Sequence, residues 1–288
     1  MKPLERAVSR TLPGLGSISL WLVAAILLTP FAWLSIAALK RNEDFFTSLF
    51  LPKGDGPLGI SLSKLTLDNF ARLINEAGMV RSLINSIFLS SVTALAATLI
   101  AAMGGYALGK FQFKGKAFMV AVVLGAIVLP PQLLLAPGYQ LLFHLNLLDT
   151  FTGLILPAAA PAFGVYLFRQ AVISSVPDAL LESGRIDGCG EARLFFQIVL
   201  PLIRPMVGTF LLITFVGTWN NFIGPQVVLQ SPEKFPLAVA VAQLRGVYYQ
   251  DYGLLMAGTV LSIVPVMGLF LFLQRDFVSG LTSGAVKG

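Results

Sequence analysis

Residues 83–108 read Leu83-Ile84-Asn85-Ser86-Ile87-Phe88-Leu89-Ser90-Ser91-Val92-Thr93-Ala94-Leu95-Ala96-Ala97-Thr98-Leu99-Ile100-Ala101-Ala102-Met103-Gly104-Gly105-Tyr106-Ala107-Leu108. No Lys, Arg, Asp or Glu interrupts them. A helix needs roughly 17–25 apolar residues to cross the hydrocarbon core of a bilayer. One charge at its centre costs about 2.5–3.5 kcal/mol on insertion scales. The run is continuous rather than alternating, which excludes the dyadic pattern of a barrel strand. Gly105 and Gly109 form a G-x-x-x-G pair, and Ala97 and Ala101 continue the same helical face. Such a face lets a second backbone approach closely where lipid gives no hydrophobic drive for association. The stretch predicts a membrane-spanning helix packed on a neighbour.

Five more runs share this character, at 18–39, 117–142, 151–168, 206–229 and 254–273, and none contains a charged residue. The whole chain agrees. Of its 288 residues 56% are hydrophobic and 12% charged, and mean hydropathy is +0.81. A soluble domain carries about twice that charge density, roughly 25%. The expectation is an all-α membrane protein with six transmembrane helices. Its lone cysteine, Cys189, rules out an intramolecular disulfide framework, and its lone histidine, His144, leaves no ligand cluster for a transition metal. The net charge of +6 suits basic loops on a membrane protein better than nucleic-acid binding. Lys2, Arg6 and Arg10 ahead of the first run resemble the start of a signal peptide. A cleavable core is about 7–15 residues, however, and 18–39 is longer, so an uncleaved first span is expected.

Lys and Arg set the orientation. With the N-terminus inside, twelve of the twenty fall on the cytoplasmic side, among them Lys110, Lys114, Lys116, Arg169, Arg185, Arg193 and Arg204. Six of the other eight lie in the long first loop, 40–82. The reading is N-in and C-in. Every span except the second contains proline, and Leu129-Pro130-Pro131-Gln132 in the third is the best candidate for a broken helix lining a pathway. Kinked packing helices are the alternative for each proline.

Chemistry is otherwise sparse. Gly104-Gly105-Tyr106-Ala107-Leu108-Gly109-Lys110 fits the start of a phosphate-binding loop, but Phe111 stands where Ser or Thr must hold magnesium. No acid, base or histidine lies within a span, so neither a proton relay nor a metal site is expected there. No catalytic residue is assigned.

The segment between the fourth and fifth spans carries more. Pro177-Asp178 starts a helix, about two turns run from 179 to 186, and Gly188 is placed to end them. A second amphipathic piece runs from 191 to 200 and is expected to stop at Pro201. Glu182, Ser183-Gly184, Gly188 and then Ile198, Leu200 and Pro201 stand in the register of a motif. The chain here resembles the EAA motif of permease subunits in ATP-binding-cassette (ABC) importers, although the family usually has Ala-Ala where Ser183-Gly184 stands. Asp68-Asn69-Phe70, Asn85-Ser86, Gly105-Tyr106-Ala107, Leu147-Leu148-Asp149-Thr150, Thr218-Trp219-Asn220-Asn221-Phe222, Leu255-Met256-Ala257 and the tail from Phe277 extend the likeness across about 15–288. The tail is similar to the smaller permease of maltose-type systems.

The resemblance implies a type I importer permease fold, with a cytoplasmic N-terminus (1–17), a permease domain (18–275), a coupling loop (174–204) and a cytoplasmic tail (276–288). It implies a second, larger permease, two cytoplasmic ATPases that hold ATP and Mg, an extracytoplasmic solute-binding protein, and a bacterial or archaeal cell membrane. The chain itself would bind no cofactor. Glu182, Ser183, Gly184, Arg185, Asp187, Gly188, Ile198, Leu200 and Pro201 would couple to an ATPase, and Gly280, Gly284 and Lys287 in the tail would touch it. Sugar recognition needs aromatic faces and amides, which Gln132, Tyr139 and Gln140 in span three and Trp219, Asn220 and Asn221 in span five supply. Interfacial anchoring and helix packing are the competing readings for these side chains. Tyr248, Tyr249 and Tyr252 are candidate contacts for the binding protein. The alternatives are a related permease for a polyamine or phosphate ester, or a self-sufficient secondary transporter, which six uncharged spans fit poorly.

Overall fold

Proline positions decide where the long apolar runs cease to be single helices. The computed structural model describes residues 2–54, 59–245 and 251–285, with side chains described between 16 and 271. Among the described residues nearly all regular structure is helical. The extended pairings are two isolated antiparallel bridges, Lys40 with Leu65 and Lys53 with Ile60. The chain divides into two compact units, one of 1–78 with 243–261 and one of 79–242 with 262–288.

The first unit begins with α1 (Lys2–Ala38), whose segment Gly16–Ala38 is apolar enough to span a membrane. Thr29 and Ser35 donate their hydroxyls back to Ala25 O and Phe31 O, both within 2.9 Å, which satisfies them inside the helix. Its last carbonyls are capped from a distance. Asn69, in α2 (Asp68–Asn75), donates Nδ2 to Ala38 O and Lys40 O at 2.8 Å each. Gly253 packs so closely on this knot that a Cβ would lie 2.8 Å from Lys40 O. Asp251 accepts from Arg72 at 2.7 Å and from Leu254 N–H at 3.0 Å, opening α14 (Tyr252–Ala285). Within the Asp68-Asn69-Phe70 string, Asn69 is thus a tertiary cap.

The second unit is built on α3 (Met79–Lys110). Its Ala97, Ala101, Gly105 and Gly109 face α7 (Ala162–Ser175), as the small-residue spacing predicts. A Cβ on Gly105 would sit 2.5 Å from Phe168 Cβ and 2.6 Å from Arg169 N. The glycine of the apparent phosphate loop is therefore a helix contact. At the other end of α3, Asn85 Nδ2 donates to Glu233 O and Phe235 O, and Ser86 Oγ accepts from Leu237 N–H at 2.7 Å. Leu237 opens α13 (Leu237–Gln243).

The third run divides into α4 (Lys116–Val128) and a piece from Pro131 to His144, a 3-10 turn leading into α5 (Leu135–His144), the two bent by 96°. Leu129 and Pro130 both precede a proline and both are extended, with ψ 122° and 126°, because the α region is disfavoured before proline. The expected break at 129–132 is present. The fourth run divides into α6 (Phe151–Ala158) and α7, bent by 41° across Ala159–Pro161. The fifth is not one helix either. α11 (Arg204–Trp219) ends at Asn220, and α12 (Ile223–Val228) resumes after it. Among the described residues three helices are long and apolar enough to cross a membrane singly, and three bent pairs pass the same test together: 116–128 with 131–144, 151–158 with 162–175, and 191–202 with 204–219.

Candidate functional site

The segment between α7 and α11 folds as a hairpin of two arms. α8 (Asp178–Ile186) forms the first. Pro177 is extended ahead of it, and Asp178 is acidic in its first turn, where a helix dipole favours negative charge. Gly188 ends it with φ +80°. Gly188 N–H donates to Arg185 O at 3.0 Å, and Cys189 N–H to Gly184 O at 2.9 Å. That pair of bonds is a Schellman closure, which requires a left-handed residue at the position of Gly188.

The second arm runs through α9 (Glu191–Leu194), a π-turn at 195–199 and α10 (Leu200–Leu202). It does not stop at Pro201. The π-turn makes Leu200 N–H reach back to Phe195 O, and the helix passes the proline in this widened register. The chain turns only at Ile203, entering α11 with a bend of 83°.

One hydrophobic cluster joins the arms to the helices behind them. It contains Leu181, Leu194, Phe195 and Val199 from the hairpin, Ala97, Ala101 and Tyr106 from α3, and Phe168 and Val172 from α7. Gly184 is buried, and a Cβ there would lie 2.6 Å from Leu194 Cδ2. Its departure from Ala-Ala therefore costs helix propensity but makes room for the second arm. The opposite face of α8 is open. Glu182, Ser183, Arg185 and Asp187 are exposed, and Ile186 is 86% exposed.

Polar contacts at the base were not anticipated from the residues. Glu191 Oε1 accepts from Arg185 Nε at 2.8 Å, and Oε2 from Tyr106 OH at 2.7 Å. The bond from Arg185, then that from Tyr106, holds the Glu191 carboxyl below its usual range, and Arg185 is raised in return, chiefly by its bond to Glu191. Arg185 is thus engaged within the chain. Lys110 Nζ meets Asp178 Oδ1 at 2.7 Å, its side chain only 8% exposed. The available signal was the one-turn spacing of Tyr106 and Lys110 at the end of α3.

The proposed solute-path residues are distributed unevenly. A cavity of about 370 Å³ lies among α5, α6 and α12, and Tyr139 and Asn221 both line it. Asn221 Oδ1 also accepts Gly224 N–H at 3.2 Å. Gln132, Gln140 and Asn220 are exposed away from that lining. Trp219 is 4% exposed, stacks on Phe215 at 5.7 Å and donates Nε1 to Ser262 O at 3.0 Å, contacts of the helix-packing alternative. Beside the cavity, Asp149 at φ +55° takes the amides of Gln230 and Ser231 and the Ser231 hydroxyl, and meets Lys234 Nζ at 2.7 Å. Lys234 first, then Ser231, keep this carboxyl far below its ordinary value.

Tyr252 is half-buried and stacks on Phe45 at 4.9 Å, so packing occupies one face of its ring. Tyr248 and Tyr249 lie outside the described residues, as does Lys287. Gly280 and Gly284 fall within α14, which stays helical to Ala285 rather than ending at the last span. Among the described residues no group of three His, Cys, Asp or Glu could hold a metal.

Residues 101–281 match the family model described as "Binding-protein-dependent transport system inner membrane component". The chain is 37% identical to the arabinooligosaccharides transport system permease protein AraQ of Halalkalibacterium halodurans, over 99% of this chain and 100% of that one. It is 30% identical to the lactose transport system permease protein LacG of Rhizobium radiobacter, over 96% of this chain and 98% of that one. The fold is similar to a chain in the crystal structure of a bacterial ABC transporter involved in the import of the acidic polysaccharide alginate. There the TM-score is 0.79 at 20% identity, covering 94% and 98% of the two chains.

Proposed function

Because the chain belongs to the binding-protein-dependent transport system inner membrane components, permeases of ABC importers, we propose that it forms half of the translocation path for a sugar or oligosaccharide. The chain is a transport subunit and not an enzyme. We assign it six spans, N-in and C-in, with the third, fourth and fifth runs crossing as broken helices. The hairpin at 174–204 then lies on the cytoplasmic face.

One observation carries the reading furthest. α8 is closed by a Schellman turn at Gly188, anchored by Leu181 and Gly184, and presents Glu182 and Ile186 outward. A short helix held from behind and open in front is suited to sit in a groove of another protein. We assign that groove to one of two cytoplasmic ATPases, which bind ATP and Mg. A second, larger permease completes the path, and an extracytoplasmic binding protein delivers the solute. Gly280, Gly284 and Lys287 are assigned as ATPase contacts, and Tyr248 and Tyr249 as contacts for the binding protein. Tyr139 and Asn221, sharing one cavity, are the strongest solute contacts on this chain. The names of AraQ and LacG favour a carbohydrate over a polyamine or phosphate ester.

The test is uptake of radiolabelled arabinooligosaccharide or lactose by proteoliposomes holding this chain, its partner permease, the ATPases and the binding protein. Uptake should require internal ATP and binding protein together, and the purified chain alone should hydrolyse none. Uptake driven by an ion gradient without ATP, or metal-dependent hydrolysis by the chain freed of every partner, would overturn the reading.

A further inference from the structure

We infer that α3 is the element through which the hairpin's movement enters the membrane bundle, with Tyr106 and Lys110 as the positioning residues that bind hairpin and α3 into one moving body. The inference rests on the reading of the hairpin as the ATPase-coupled element, and extends it to a helix that has no peptide link to the hairpin. The links themselves run to α7 and α11, and both are angular. Val176 and Pro177 are extended between α7 and α8, and α10 meets α11 across the 83° bend at Ile203. Both joints change the chain's direction, with Val176 and Ile203 each buried in the hydrophobic cluster.

Side chains of α3 grip both arms instead. Tyr106 and Lys110, one turn apart and hence on one face, reach the first residue of each arm. The Tyr106 hydroxyl donates to Glu191, which opens α9, and the Lys110 ammonium meets Asp178, which opens α8. Arg185 closes the circuit by donating from α8 to the other oxygen of Glu191. Below the polar contacts the Tyr106 ring is 5% exposed, edge-on to Phe111 at 5.3 Å and tilted against Phe195 at 5.8 Å. Arg169, in α7, donates Nε to Leu108 O at 3.3 Å, which fastens α7 to the same end of α3. The Lys110 side chain is 8% exposed, while Asp178, at 74%, keeps its end of the pair open to solvent. Held at both origins by one helix, the arms are placed to carry α3 with them, while Phe168 and Val172 of α7 share the hydrophobic cluster behind them.

The test uses the reconstituted complex, with the Lys110→Cys and Asp178→Cys pair in a Cys189→Ser background. Assembly and uptake are measured before and after cross-linking with a short bifunctional thiosulfonate. The two substitutions remove the ion pair and should lower uptake before the link is made. A body that moves as one tolerates the link, so cross-linking should leave that uptake unchanged or raise it, and a further loss on cross-linking would overturn the inference. Separately, Tyr106→Phe combined with Lys110→Met should lower solute moved per ATP by roughly three- to thirty-fold, while binding-protein-stimulated hydrolysis continues. Lys110→Asp should show the same defect, and adding Asp178→Lys should restore coupling. Unchanged solute per ATP in the Tyr106→Phe, Lys110→Met variant, or a swap that rescues nothing, also overturns it. A wild-type complex without ATP-dependent uptake would instead defeat the underlying reading of function.

Discussion

Glu182 and Gly188 separate charge from geometry on one short helix. Glu182 is exposed and forms no part of the core behind α8, so Glu182→Lys leaves the fold intact while placing a cation where a carboxylate is proposed to meet a partner. A mispaired charge at an interface costs several kcal/mol. Gly188 stands at φ +80° with open space around its Cβ position. Gly188→Val therefore acts through backbone strain, about 1–2 kcal/mol or more for a branched residue, and re-aims the second arm. Both variants should reach normal membrane levels on immunoblots, show uptake near background, and leave ATP hydrolysis in the reconstituted complex weak or unresponsive to solute. Wild-type uptake by both would reduce the hairpin to a surface feature. Asp149 shows a different residue-scale logic: a non-glycine at positive φ, held there because its carboxylate collects two amides, a hydroxyl and an ammonium.

At the scale of elements, the α3–α7 contact sets the tolerance of the bundle. Gly105 brings the two backbones together, with Phe168 and Arg169 main-chain atoms 2.6–2.7 Å from where a Cβ would stand. These are backbone atoms, which cannot swing aside as a side-chain tip can. Gly105→Val must separate the helices, and overpacking of this kind costs about 1–3 kcal/mol or more. The expected result is a lower membrane level and a lower melting temperature in detergent. Gly184→Ala should be milder, since its nearest obstacle is the Leu194 Cδ2 methyl. A Gly105→Val protein as stable as wild type would mean that α3 and α7 do not pack through this face.

For the whole molecule the deciding quantity is orientation. Lys114 precedes α4, and Ile60 lies in the loop between α1 and α2; the proposed topology puts them on opposite sides. Lys114→Cys and Ile60→Cys, each in a Cys189→Ser background, report the sides through an impermeant thiol reagent applied to intact cells. Ile60→Cys is 42% exposed at its native residue and should label, whereas Lys114→Cys should label only after lysis. The reverse pattern would invert the topology and remove the hairpin from the ATP-bearing side.

Much was legible because it depends on local terms alone. Uncharged length announces a membrane helix, consecutive prolines forbid α geometry at Leu129 and Pro130, and the spacing of Ala97, Ala101, Gly105 and Gly109 marks a contact face before its partner is known. The helix at 179–186 and its glycine stop were likewise readable, since caps and turns act within a few residues. Tertiary structure decided the rest, because it brings together groups that local rules treat as independent. Trp219 reads as a polar-tipped aromatic available to solute, until Ser262 O and Phe215 claim it. Pro201 reads as a stop, until a π-turn carries the helix past it. Tyr106 and Glu191 are 85 positions apart, too far for any spacing rule, and only the packing of α3 beneath the hairpin makes them one site.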